Sequence, residues 1–149
     1  MKSIYILIVF RLLIIDSSNS QWQKVNTGFN FNYYDVSVVN ENIIWAGGTK
    51  IVRTTNGGLN WFDANLNNPG FFVTNISAVS DLKAWISDDD LVYGTTNGGL
   101  NWIEQNYTPK KFINNIYFFN QNTVILLAYP SCGITGFFIT RTGGTNWYR

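Results

Sequence analysis

The sequence contains no histidine and a single cysteine among its 149 residues. Without histidine the chain cannot build a Ser-His or Cys-His nucleophile pair, and it lacks the usual ligand of catalytic zinc. With Cys132 alone no intrachain disulfide can form, so core packing and backbone hydrogen bonds must hold the fold. These absences exclude several common hydrolase mechanisms, and we expect no metal and no other cofactor.

Charged residues are also scarce, at 13% of the chain against 17% for aromatic residues. The 10 lysines and arginines nearly balance the 9 acidic residues, and they form no basic stripe. We therefore expect no nucleic-acid partner. Low charge with many aromatic residues is typical of a β-rich exported protein, and no stretch has the apolar spacing of an amphipathic helix. The sequence thus predicts an all-β fold.

The N-terminal residues follow the order of a secretory signal. Lys2 gives a positive start, residues 4–15 form an apolar run, and Ser18 and Ser20 place small residues before a cleavage point. The run is interrupted by Arg11 and is shorter than the roughly 20 residues that a spanning helix needs. We predict a signal peptide over residues 1–20 and a secreted, periplasmic or cell-surface protein, with a short membrane anchor as the alternative.

One octapeptide occurs twice without change. Residues 54–61 and 95–102 both read Thr-Thr-Asn-Gly-Gly-Leu-Asn-Trp, and residues 140–147 form a third, altered copy. The step from one final tryptophan to the next is 41 and then 45 residues, and Trp22 lies 39 residues before the first of them. A repeat of about 40 residues is typical of arrays in which each repeat is one supersecondary unit.

Each repeat contains four short runs of strand-forming residues joined by tight turns. The first runs of the three repeats begin at steps of 40 residues. All runs are rich in β-branched or aromatic residues and are bounded by Asn, Asp or Ser, which is typical of strands and their turns. Four antiparallel strands per repeat predict β-propeller blades, over about residues 35–63, 75–104 and 115–149.

The number of blades predicts an incomplete propeller. Residues 22–25 resemble the fourth strand of a blade, so they form an orphan strand at the start of the predicted domain, residues 21–149. Closed propellers have about four to eight blades, so three blades leave an apolar face open at each end. The chain is then a fragment, a truncated product or a protomer that self-associates to complete the ring. We expect the isolated chain not to be a stable monomer.

The octapeptide resembles the Asp-box, or bacterial neuraminidase repeat, whose consensus is Ser/Thr-x-Asp-x-Gly-x-x-Trp. The first two copies have Asn at the Asp position and the third has Thr142. Asn and Gly suit a turn with positive φ, and Trp buries a large area. The resemblance implies a structural turn between the third and fourth strands, at the outer edge of each blade. The residues that carry it are Thr54, Asn56, Gly58, Trp61, Thr95, Asn97, Gly99, Trp102, Gly144 and Trp147.

A closer resemblance combines the octapeptide with the Ile-Trp-Ala-Gly-Gly strand at residues 44–48. This combination is similar to the photosystem II stability/assembly factor group and to related exported bacterial repeat proteins. The resemblance implies a non-catalytic protein that binds other proteins or surfaces.

The meander also predicts where a ligand binds. Its 1–2 and 3–4 turns lie at one end of a blade, and its 2–3 and 4–1 connections lie at the other. Because the octapeptides occupy the first end, we expect the variable loops of the second end to hold a protein or glycan surface. The alternative is that their aromatic residues fill gaps between blades and their charges are solvated. The candidate ligand-binding residues are Phe29, Phe31, Tyr33, Phe71, Phe72, Asp88, Asp89, Tyr107, Lys110 and Tyr129.

The favoured function is an exported, non-catalytic scaffold that binds protein or glycan. The alternatives are a sialidase-like glycoside hydrolase and a degenerate structural repeat without a function of its own. Sialidases of this family use an arginine triad, to which Arg53, Arg141 and Arg149 cannot be matched, because they fall in a third strand, in the octapeptide and at the last position. Asp35, a carboxylate near the ligand end, is replaced by Asn in the other two repeats. We therefore expect no enzymatic activity.

Overall fold

The computed structural model of the chain describes residues 24–64, 66–68, 70–106, 112–129 and 136–149. The predicted signal peptide lies outside these residues. Within them every regular element is a β-strand, which confirms the all-β prediction. The described part of the chain also contains no helix long and apolar enough to cross a membrane.

The described strands form three antiparallel sheets, each a meander of consecutive strands. The strand orders are β1-β2-β3-β4, β5-β6-β7-β8 and β9-β10-β11. The bounds are β1 Tyr33–Val38, β2 Ile44–Gly48, β3 Ile51–Thr54, β4 Phe62–Asp63, β5 Asn75–Ala78, β6 Ala84–Ser87, β7 Val92–Thr95, β8 Ile103–Glu104, β9 Phe112–Phe118, β10 Val124–Tyr129 and β11 Gly136–Thr140. The three sheets confirm the predicted propeller blades.

The two ends of the array are less regular than the prediction. The fourth strand of the third sheet is reduced to a single antiparallel bridge between Ile139 and Tyr148. Of the predicted orphan strand, residues 22 and 23 lie outside the described residues, and Lys24 and Val25 have no strand pairing. The side chain of Val25 instead lies against the turn glycine Gly58 of the first sheet.

The cross-strand registers give each sheet two distinct faces. In the first sheet Ser37, Trp45 and Arg53 are successive partners, so their side chains share one face. In the second sheet Ser77 and Trp85 occupy the equivalent positions. We call this side of each sheet its trailing face, because it points to the next sheet in the chain. The opposite side, which points to the preceding sheet, is the leading face.

The core consists of two clusters, one at each junction between sheets. At the first junction the fully buried Trp45 of the trailing face packs with Ile76 and Ile86 of the next leading face. At the second junction Trp85 packs with Ile116, and with Phe118 at 5.6 Å between ring centroids, and other residues. The strands are stable because both faces of the middle sheet are covered, which removes their apolar side chains from water.

The innermost strands of neighbouring sheets are also joined by hydrogen bonds. The backbone N–H of Ala78 donates to Ser37 Oγ at 2.9 Å, and that of Phe118 donates to Ser77 Oγ at 3.0 Å. A serine on each trailing face thus satisfies a backbone donor on the edge of the next sheet, a group that would otherwise be costly to bury. The same contact recurs 40 residues apart, so the two junctions share one geometry.

The octapeptide closes the hairpin between the third and fourth strands. In the second copy Thr95 Oγ1 accepts from the N–H of Gly99 at 3.0 Å and donates to Asn97 Oδ1 at 3.0 Å. Asn97 Oδ1 also accepts from the N–H of Asn101 at 3.0 Å. Gly98 and Gly99 have φ of 73° and 85°, a conformation that glycine adopts without a steric cost. The first copy has the same bonds at Thr54 and Asn56.

The third copy makes equivalent backbone contacts with different atoms. Thr140 Oγ1 accepts from the N–H of Gly144 at 2.9 Å, and Thr142 Oγ1 accepts from the N–H of Asn146 at 3.0 Å. The hydroxyl of Thr142 therefore takes the place of the Asn97 amide oxygen. The motif needs an oxygen acceptor at this position, and its charge is not required for the turn to form.

The octapeptide tryptophans link each blade to the one before it. Trp102 packs edge-on against Trp45 of the first sheet at 6.2 Å between ring centroids, and its Nε1 donates to the Ala64 carbonyl at 2.9 Å. Trp147 packs against Trp85 of the second sheet at 5.5 Å. The indole of Trp61 donates to the carbonyl of Gly58 within its own turn, at 3.1 Å.

Candidate functional site

The octapeptide turns mark one end of the three sheets. The N–H groups of Gly57, Gly98 and Gly143 donate to carbonyls in the turns between the first and second strands, at 3.0, 2.8 and 2.9 Å. The 1–2 and 3–4 turns therefore lie together, at what we call the octapeptide end. The 2–3 turns and the linkers between sheets lie at the opposite, loop end, where the sequence predicts the ligand.

The loop end contains a cleft between the first sheet and the linker that follows it. It is lined by residues 48–51 and by the described part of 66–73, and its volume is about 370 Å³. The two walls are joined where the N–H of Val73 donates to the Gly48 carbonyl at 2.9 Å. We call this the first cleft. Its lining combines the aromatic rings of Phe71 and Phe72 with Lys50 and side-chain amides.

The two neighbouring phenylalanines of the first cleft have different surroundings. Phe71 packs edge-on against Tyr93 at 5.1 Å, and Asn68 Nδ2 donates to the Tyr93 hydroxyl at 3.2 Å. Phe71 therefore belongs largely to the core between the first two blades, as the alternative interpretation expected. Phe72 is 51% exposed, so its ring is available to a partner.

Lys50 connects the first cleft to the aromatic residues before β1. Its Nζ lies 3.5 Å from Asp63 Oδ2 and 5.2 Å from the centroid of the Phe31 ring. Phe31 in turn stacks on Phe29, with 6.0 Å between centroids. The Tyr33 hydroxyl lies 3.1 Å from Thr27 Oγ1. Phe29, Phe31 and Tyr33 thus form one group, which borders a second recess of about 490 Å³.

The acidic turn at residues 88–90 borders a third recess, of about 270 Å³, which Phe72 also lines. Asp88 Oδ1 accepts from the N–H groups of Asp90 and Leu91 at 2.9 and 2.7 Å, so this carboxylate stabilises the turn. The exposed Asp89 is fixed by its backbone, because its carbonyl accepts from the N–H of Ile113 at 2.7 Å. No group of three potential metal ligands occurs among the described residues.

The remaining predicted site residues do not join these groups. Tyr129 ends β10, where it pairs with Phe112 of β9, and both side chains are exposed. Tyr107 and Lys110 lie outside the described residues. The loop end therefore brings Phe29, Phe31 and Tyr33 together on one side of Lys50, and Phe72 together with the acidic turn on the other.

Lys50 is the residue that the list of candidates missed. It lies directly after Gly47-Gly48-Thr49 in a tight turn, where the Gly48 N–H donates to the Lys50 carbonyl at 2.9 Å. A charged residue at a hairpin tip beside two aromatic linkers was the available signal. The signal is weak, because a lysine at such a tip is usually only solvated.

The charged groups considered for catalysis have structural contacts. The two oxygens of Asp35 accept from the N–H groups of Val36 and Ile76, each at 2.8 Å. Arg53 Nε donates to the Gly98 carbonyl at 3.0 Å, and its guanidinium lies 5.7 Å from the ring centroids of both Trp45 and Phe62. Both residues thus join the first blade to the second.

No protein-family model matches the chain, and no curated protein sequence matches it. Solved structures do. The chain superposes on YCF48 bound to D1 peptide with a TM-score of 0.69 and 19% identity, over 85% of this chain and 42% of that one. For YCF48 from Cyanidioschyzon merolae the TM-score is 0.68 and the identity 21%, with the same coverage.

A GH74 enzyme from Niastella koreensis is also similar, with a TM-score of 0.58 and 13% identity, over 78% of this chain and 22% of the enzyme. The chain therefore spans less than half the length of each of these structures. At such identities the similarity concerns the fold, and it agrees with the β-propeller architecture of the three sheets.

Proposed function

We propose that the chain is an exported, non-catalytic protein of the Asp-box repeat family that binds an extended segment of another protein in the first cleft. One observation carries this proposal. The cleft places an exposed aromatic ring, Phe72, between a cation, Lys50, and the acidic turn at residues 88–90. A partner segment with an apolar side chain flanked by charges of both signs would complement this arrangement.

The shape of the first cleft supports a peptide more than a small metabolite. Its floor is formed by backbone from two directions, the 2–3 turn at Gly48–Ile51 and the linker around Val73. Backbone groups and the amides of Asn67 and Asn68 offer donors and acceptors along an extended chain, while an aromatic anchor supplies most of the binding energy. The superposition on YCF48 bound to D1 peptide is consistent with such use of a propeller.

Export is part of the proposal. The charged start, the apolar run and the small residues before position 21 support a secreted, periplasmic or cell-surface location. The Asp-box assignment rests on the octapeptide and its turn. Thr54 and Thr95 hold two glycines with positive φ in the same way, and the oxygen of the third position caps the turn in every copy.

The test uses the purified full chain and a random-sequence peptide display library. Peptides enriched on the chain are measured by isothermal titration, and we expect Phe72→Ala and Lys50→Glu each to weaken binding by at least about tenfold. Phe62→Ala is the matched control, because Phe62 is equally exposed but lies on the outer strand of the first sheet. Equal loss in Phe62→Ala, or no loss in Phe72→Ala, would contradict the assignment of the cleft.

A glycan is the second candidate ligand, because an exposed aromatic ring beside amide side chains also suits sugar binding. Binding to a glycan array that Phe72→Ala abolishes, without peptide binding, would favour it. The hydrolase alternative predicts turnover of a fluorogenic sialoside by the same sample. A folded chain that binds neither peptides nor glycans would favour the degenerate structural repeat.

We also propose that the chain self-associates. Apolar side chains are exposed on the outer faces of the first and third sheets, and Val38, Tyr117 and Phe137 are the main examples. Such faces are covered by neighbouring sheets elsewhere in the chain, so association would remove them from water.

A further inference from the structure

The leading face of the first sheet is exposed where its equivalents are buried. Val36 is 57% exposed, whereas Ile76 and Ile116, which lie 40 and 80 residues further along, are 5% and 3% exposed. Val38 is exposed as well, and its equivalent Phe118 is buried. Within the described residues, this inner part of the first sheet thus has the side chains of a junction without the sheet that would complete it.

The trailing face of the third sheet is open in the same way. The registers align Tyr117, Ile125, Ile139 and Tyr148 across it, in the positions that Ser37, Trp45, Arg53 and Phe62 occupy in the first sheet. Tyr117 is 70% exposed, and Phe137 on the same face is also exposed. The equivalent central positions, Trp45 and Trp85, are fully buried by the next sheet.

We infer that a second copy of this chain covers both faces, the trailing face of the third sheet packing on the leading face of the first sheet of the other copy. This pairing rests on the self-association proposed above and specifies its geometry. Both junctions inside the chain pair a trailing face with a leading face. Each chain therefore carries one unmatched half of each kind, and a contact between two identical faces would not reproduce either junction.

The blade number indicates a closed dimer. Propellers have about four to eight blades, and six is the only multiple of three within that range. Two copies related by a twofold axis along the propeller axis would make two equal junctions and leave neither end open. A head-to-tail contact that did not close would instead extend into a filament.

The contacts within the chain predict which residues meet across the new junction. Ser37 contacts Ala78, and Ser77 contacts Phe118, through the serine hydroxyl and the backbone N–H. Advancing this pair by one blade places Tyr117 beside Val38 of the second copy. Tyrosine replaces serine there, so we expect the ring to pack over the valine side chain.

Two single-cysteine variants test the pairing, both with Cys132→Ser so that no other thiol is present. Val38→Cys and Tyr117→Cys are purified as full chains, mixed and oxidised, and each is also oxidised alone. We expect a disulfide-linked dimer in the mixture, with at least a tenfold lower yield for each variant alone. Cross-linking of Tyr117→Cys with itself would show that identical faces meet, which would overturn the pairing but leave self-association intact.

The oligomeric state provides the second measurement. Light scattering of the unaltered chain should give the mass of a dimer, and Val38→Asp or Tyr117→Asp should raise the dissociation constant by roughly 100-fold, because each would bury an unpaired charge. Leu59→Asp is the matched control, since Leu59 is an exposed leucine of the octapeptide turn. A monomeric unaltered chain would overturn both the pairing and self-association, while peptide binding in the first cleft would be judged separately. A dimer that gives no cross-link in the mixture would overturn the pairing.

Discussion

The octapeptide end and the loop end of the blades are built from the same sheets but differ in regularity. At the octapeptide end each turn bonds to the neighbouring 1–2 turn through the same glycine N–H, at 2.8–3.0 Å in all three blades. At the loop end each connection is different: a two-glycine turn with Lys50, an acidic turn at residues 88–90, and a linker with Phe71 and Phe72.

This difference separates what builds a blade from what distinguishes one blade from another. The repeated contacts act on backbone groups and on the indole rings between sheets, so they serve the fold in every blade. Side chains that occur in one blade only are not needed for that purpose, and the exposed ones among them are free to serve recognition. Substitutions at the two ends should therefore separate stability from binding.

The largest effect on stability is expected for Trp85→Ala. The Trp85 ring is buried between Phe118 and Trp147, and its loss would leave a cavity at the second junction. We expect the free energy of unfolding to fall by about 3–5 kcal/mol. Phe72→Ala at the loop end should change it by less than about 1 kcal/mol, because half of that ring is already exposed.

Urea unfolding at one fixed protein concentration measures both variants, since self-association would add to the apparent stability. Equal losses for Trp85→Ala and Phe72→Ala would contradict the separation of the two ends. Loss of peptide binding in a Trp85→Ala protein that is still folded would also count against it.

A smaller loss is expected for Thr95→Val. Valine has nearly the same shape, but it cannot accept from the N–H groups of Gly99 and Asn97, which bond to Thr95 Oγ1 at 3.0 and 3.3 Å. Leaving buried donors without an acceptor should cost about 1–3 kcal/mol. The adjacent Thr96 is exposed, so Thr96→Val is the control and should be nearly neutral in the same urea titration. A loss that is equal in both variants would show that the hydroxyl of Thr95 is not what holds the turn.

The sequence predicted the fold well because its repeat constrains many residues at once. An exact recurrence of the octapeptide fixes where each blade ends, and the recurrence of Trp45 at Trp85 fixes which residues share a face. The fourth strand of the third sheet was the exception. Only the Ile139–Tyr148 bridge forms there. Its residues match the repeat, but no following sheet lies against it within the described residues.

The candidate site was harder to predict because the loop end does not repeat. Phe71 and Phe72 are adjacent and chemically identical, and only the position of Tyr93 shows that the first is packed and the second is available. Asp88 was chosen for its charge, but its carboxylate is bonded to the backbone of its own turn. Such distinctions depend on contacts between distant residues, and a single sequence without a repeated pattern does not encode them visibly.

The smallest effect concerns the third position of the octapeptide, where Asn97 and Thr142 stand in different copies. Each side-chain oxygen accepts from the N–H four residues later, at 3.0 Å. If the motif needs only this acceptor, Asn97→Thr should change the free energy of unfolding by less than about 0.5 kcal/mol, whereas Asn97→Ala should lower it by about 1 kcal/mol. Thermal unfolding followed by circular dichroism can rank the two variants against the unaltered chain. If Asn97→Thr were as damaging as Asn97→Ala, the amide itself would matter, and the third copy would owe its turn to the surrounding packing.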